Sequence, residues 1–173
     1  FTGAGSDVIA IGRLAGAYGQ VSGAIAIGQQ SGYTGQSTDG IAIGQLAGRI
    51  AQGTRSIAIG RDSGLSQGSD CIAVGYQTGL GGQGTSSVAI GNQAGLGGQS
   101  SRCVAIGDNA GCVRQFLNCI AIGNAAGDDQ DQDAIAIGRL TGGQTQGSFS
   151  VAIGAFSAGG NQGDNAVAIG RSA

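Results

Sequence analysis

The chain has 173 residues and a net charge of −2, set by eight Arg and ten Asp, with 38 Gly and no Lys, Glu, His, Met, Trp or Pro. Gly stands at about three times its average usage and most strong helix formers are missing, which argues against a helical fold. Neither charge sign is gathered into a run suited to phosphates, so nucleic acid is a poor partner; Gly closes every apolar triplet, so no stretch reaches a membrane span.

A triplet followed by Gly, [IV]-A-[IV]-G, recurs from end to end. Its closing Gly falls at 12, 28, 44, 60, 75, 91, 107, 123, 138, 154 and 170, so units of sixteen residues are interrupted by two of fifteen. Such a period, with no linker or change of composition, predicts a solenoid. Residues 1–173 are read as one array of about ten coils and as a segment of a longer fibre protein, because "FTGAG" and "IGRSA" both cut through a unit.

Within the unit the first element is the triplet itself. Ile or Val on both sides of a central Ala, as in Ile9 and Ile11 or Val167 and Ile169, is the period-two pattern of a short strand. The β-branched pair is expected to fill the coil interior. The Ala column, Ala10, Ala26, Ala42, Ala58, Ala73, Ala89, Ala105, Ala121, Ala136, Ala152 and Ala168, would then point outward as a strip of methyl groups suited to close approach by another chain. This column is the expected oligomer interface.

After the closing Gly come two variable residues, a small one such as Ala15, Ser31 or Thr78, and a second Gly from Gly16 to Gly142, replaced by Ala158 in the last complete unit. That second Gly reads as a turn requiring positive φ. Gln follows in all ten complete units, at Gln20, Gln36, Gln52, Gln67, Gln83, Gln99, Gln115, Gln130, Gln146 and Gln162. Coils stacked about 4.8 Å apart would let these amides bond along a ladder. The whole predicts an all-β flattened roll, a β-solenoid with two short strands per coil.

Little in the unit supports catalysis. With His, Lys and Glu absent, only Asp and Cys remain as candidates, and neither a catalytic residue, a metal site nor a cofactor is expected. Asp129, Asp131 and Asp133 match the first ligand positions of a calcium loop, but Ala134 and Leu140 stand where that loop needs Gly and Glu, so Asp128 to Asp133 reads as a solvated loop. "GLGGQG", Gly79 to Gly84, lacks the helix and acidic partner of a nucleotide site. Cys71, Cys103 and Cys119 share the column before the strand, where Ser56 and Ser87 also stand; they are either buried small residues or, for Cys103 and Cys119 on adjacent coils, a candidate disulfide. Specific recognition is expected in the variable slots that hold Tyr18, Tyr33, Arg49, Tyr76, Arg114 and Phe116.

The phrases "SVAIGNQA", "AIAIGQQS" and "SIAIGRDS" resemble the head repeats of trimeric autotransporter adhesins, the YadA-like β-roll with its S-V-A-I-G-x-x-S/A core. Similar phrases occur in tail-fibre and other surface-fibre proteins of viruses and phages. The resemblance implies a left-handed roll and a homotrimer on a cell or virion surface, its outer side binding a host-surface protein or glycan. It makes a non-enzymatic structural fibre or adhesin segment the leading expectation. A self-assembling extracellular filament is the alternative, and an ice-binding solenoid the weaker one, because Thr34, Thr54, Thr78 and Thr145 fall in different columns.

Overall fold

The computed structural model describes residues 5–173, and every regular element in it is a strand of two or three residues. Eleven triplet strands, from Ile9–Ile11 and Ile25–Ile27 to Val151–Ile153 and Val167–Ile169, form one parallel sheet whose spatial order is the chain order. Register is strict: Ala26 stands opposite Ala42 and Ala42 opposite Ala58. Across the first short unit Ile57 still pairs with Ile72, so the missing residue is taken from a loop and the sheet does not slip. The chain is a β-solenoid of about ten turns.

The opposite wall is thinner. Thr34–Gln36 pairs with Ile50–Gln52, and Arg114–Gln115, Asp129–Gln130 and Thr145–Gln146 pair in turn, while single bridges such as Gln67 to Gln83 and Gln83 to Gln99 continue the wall between them. Gln is the residue common to these pairs. Its column is the second strand of each coil.

The interior differs from the sequence expectation. Ala26, Ala42, Ala58, Ala73, Ala89, Ala105, Ala121, Ala136 and Ala152 are all 0 % exposed within a single chain, and the Ile and Val beside them face out. Ala10 and Ala168, in the end coils, are half-buried. The Ala column is therefore the lining of the coil and cannot serve as an oligomer interface. The cause is width. A Cβ built at Gly64 would lie 3.0 Å from the Ala58 Cβ, and one at Gly127 would lie 3.0 Å from that of Ala121. Facing sheets that interdigitate large side chains stand about 10 Å apart, which this coil does not reach.

The largest fully buried side chains are accordingly Gln, not Ile. All ten Gln amides donate from Nε2 to the carbonyl of the first residue of their own triplet, from Gln20 to Ile9 through to Gln162 to Val151. Each Gln thus braces one wall of its coil against the other. The amides also bond vertically from Gln20 to Gln36, and without a break from Gln67 through Gln83, Gln99, Gln115 and Gln130 to Gln146. At Gln36, Gln52 and Gln146 the second proton goes instead to the carbonyl four residues on, and the Oε1 of Gln52 is left without a donor. Two protons serve three acceptors, and only at Gln20 and Gln130 does one amide nitrogen stand within reach of all three.

Each triplet sits between two left-handed corners, one residue two places before it and one two places after its closing Gly, such as Arg102 at φ 61° and Asn109 at φ 55°. From Asp7 to Ser172 no β-branched residue occupies either corner, as expected where a branched Cβ would meet its own backbone. The second Gly of the unit is also left-handed, between φ 52° at Gly32 and 61° at Gly95 and Gly142, and Ala158 adopts φ 46° in the same column. An L-residue there costs about 1–2 kcal/mol. The Oε1 of Gln162, four residues on, has no donor. Ala158→Gly is expected to stabilise the chain by about 0.5–1 kcal/mol after the entropy cost of Gly, read as a rise of about 2 °C in thermal midpoint.

Candidate self-association face

With Ala turned inward, the sheet presents two columns of Ile and Val to solvent. Even in coils covered above and below, Ile59, Ile90 and Ile153 remain 36–38 % exposed, and in the last coil Val167 reaches 67 %. The columns stand about 7 Å apart and run about 50 Å along the stack. A continuous apolar band of this size ranks with the largest patches that monomers leave in water, which are commonly interaction sites. The same pleat parity carries outward residues on both flanks: the left-handed corner two places before the triplet, and the residue after the closing Gly.

The first flank holds Asp7, Asp39, Arg55, Asp70, Arg102 and Asp133; the second holds Arg13, Arg61, Asp108, Arg139 and Arg171. Some of these charges are paired within the chain. Arg55 makes a bidentate contact with Asp70 one coil on, at 2.7 and 2.9 Å, and the guanidinium holds the Asp70 carboxyl below the usual carboxylate range. Arg61 lies 3.3 Å from Asp62. Others meet only neutral groups. Arg102 donates to the Asn118 Oδ1 at 2.6 Å, and Asp108 accepts from Asn92 at 2.6 Å and from Asn124 at 3.1 Å. Asp133 accepts from Asn118 at 2.7 Å, and Arg139 stacks 4.5 Å from the Phe156 ring centre.

The residues expected to carry recognition form small stacks on the surface, two between coils and one within a coil. The Tyr18 and Tyr33 rings meet edge to face at 5.1 Å, Arg61 lies over Tyr76 at 4.8 Å, and Arg114 lies over Phe116 at 4.8 Å while pairing with Asp129 at 2.9 Å. Arg49 is exposed beside this group. The acidic run is dispersed: Asp129 goes to Arg114, Asp133 to Asn118, and Asp128 to the Cys112 thiol at 3.3 Å. Among the described residues no three Cys or Asp side chains are placed to hold a metal ion.

All four Cys, including the candidate disulfide Cys103 and Cys119, are free thiols. The Cys103 Sγ donates to the Phe116 carbonyl at 2.7 Å and the Cys119 Sγ to that of Asp131 at 2.9 Å. Ser56 and Ser87 make the same bond in the same column, to Gly68 at 2.7 Å and to Ser100 at 2.8 Å. Cys here does the work of Ser. The Cys103 thiol beside Cys119, together with burial, holds Cys119 above the ordinary thiol range, while burial and the Asp128 carboxylate push Cys112 up to about 11. The paired Cys103→Ser and Cys119→Ser substitutions are expected to change stability by less than about 1 kcal/mol. Loss of a staple across such a loop would cost about 3 kcal/mol, a difference that a denaturant titration resolves.

Comparison with known families follows the same repeat. Residues 50–63 match the YadA head domain repeat. The family model describes two copies of that repeat, while the matched span is shorter than one coil and ends on "SIAIGRDS", the triplet with its closing Gly and the small buried Ser63. No curated protein and no solved structure matches the chain. The YadA-type positions in this span are structural: Ser56, Ala58 and Ser63 are buried, and Ile57 and Ile59 belong to the outward columns. The Gln brace, the left-handed corners and the charged flanks were not read from the sequence. The flanks were legible in principle, since they fall on the same parity as Ile and Val once the inward Ala is known.

Proposed function

We propose that the chain is a non-enzymatic structural and adhesive rod in which three copies pack their Ile and Val columns around a common axis, displayed outside a cell or virion. The observation that supports this reading is the continuous apolar face on an in-register sheet of eleven strands. If each Ile or Val still has about 50 Å² to bury, the gross gain is on the order of 20 kcal/mol per chain, larger than the usual cost of association. The likeness of residues 50–63 to the YadA head repeat supports an adhesin-like, surface-exposed setting. The stacks at Tyr18 and Tyr33 and at Arg114 and Phe116 then lie on the sides of the rod, free to meet a host-surface protein or glycan. Sedimentation equilibrium is the test: a mass near three times 16.6 kDa is expected, and a monomer at every concentration overturns the reading.

A further inference from the structure

At three levels of the stack the flanks of the apolar face carry opposite charges at matching heights. Within one coil the two flanking residues are six positions apart, roughly 20 Å along an extended strand, so they do not meet inside the chain. In a closed ring of identical chains they do meet: cyclic symmetry sets the leading flank of each copy against the trailing flank of the next at the same height. At that level match, Asp7 faces Arg13, Arg102 faces Asp108 and Asp133 faces Arg139 of the neighbouring copy. A slip of one coil leaves one such pair in either direction, Asp39 with Arg61 or Asp70 with Arg61.

Arrangements inside the chain fit the same pattern. Arg102, Asp108, Asp133 and Arg139 are held by amides or a ring, without a counter-ion, and so remain available. At the one level where two cations would oppose each other, Arg55 and Arg61, both are already neutralised within the chain, by Asp70 and Asp62. The apolar columns alone cannot fix height, because Ile and Val repeat at every coil and a slipped stack would bury nearly the same surface.

We infer that the flanking Asp and Arg residues are inter-chain contacts that set the axial register of the assembly, the partner being a second copy of this chain at level height. This rests on the homotrimer reading, and it adds which residues meet and why the copies do not slide. The charges act at the rim of an apolar interface, where they decide alignment more than total affinity.

The test is a charge-reversal cycle on the 173-residue chain, read by sedimentation. Arg102→Asp and Asp108→Arg, each placing three like-charge contacts in a trimer, are expected to raise the concentration at which the assembly dissociates by about tenfold or more. The double variant, which restores opposite charges with the sign exchanged, is expected to return to within about twofold of the native chain. In about 1 M salt the single variants and the native chain should converge, since exposed charges are then screened. Circular dichroism of each variant checks that the coil itself is folded. A native trimer that is indifferent to both reversals, or a double variant no better than the singles, overturns the inference alone. A native chain that is monomeric overturns it together with the homotrimer reading.

Discussion

Ile106→Asp is expected to separate the chains while leaving each coil folded. Ile106 lies in the outward column, stacked between Ile90 and Ile122, and takes no part in the coil interior. In a lone chain its loss removes side-chain contacts to two neighbours in the column, worth about 1 kcal/mol in all. In the proposed trimer the new carboxylate would sit against the apolar columns of neighbouring copies, where desolvating each charge costs several kcal/mol. Sedimentation should show a monomer and circular dichroism an unchanged strand signal. The neighbouring substitution Ala105→Ile should do the reverse. Ala105 is fully buried against a wall that admits nothing larger, so overpacking there is expected to cost 1–3 kcal/mol or more and to lower the thermal midpoint. Had the Ala column faced outward, the two outcomes would exchange places.

The second large effect is expected at the closing Gly. Gly107 has φ +133°, in a region essentially reserved for Gly, and a Cβ there would meet the Gly123 carbonyl oxygen of the next coil. No rotamer relieves a clash of Cβ with backbone. Gly107→Ala is therefore expected to cost about 3 kcal/mol or more, and to break the parallel ladder between the Val104–Ile106 and Ile120–Ile122 strands. Gly160 supplies the control. It has no neighbour within 4 Å of a would-be Cβ and no positive φ, so Gly160→Ala should shift stability by less than about 0.5 kcal/mol. Urea denaturation of the two variants against the native chain measures both.

Much of this fold could be read without coordinates, because one residue type per column at a fixed period leaves few architectures. The triplet strands, the second Gly as a left-handed turn and the Gln column all followed from recurrence. The facing of the triplet did not. Alternation says that Ala and Ile point to opposite sides, and it is symmetric between inside and outside. Two facts of size settle it: a coil this short holds only small residues opposite its second Gly, and the one large side chain it admits is Gln, which carries its own hydrogen bonds inward. The uniform smallness of the central residue was thus a signature of the lining. The flanking charges were invisible for the same reason, since their relation to the apolar face depends on which parity is outward.

The Gln and Ala lining also bears on how the molecule responds to temperature. An interior of methyl groups and amides contributes little greasy surface when a coil opens, and exposed polar surface lowers heat capacity where apolar surface raises it. The curvature of the stability curve is therefore set by the Ile and Val columns, which in the covered coils are more than half buried by stacking within one chain. In the proposed trimer the parting of copies would expose only the remainder, so cooling would weaken the stacking of coils as well as the contact between copies.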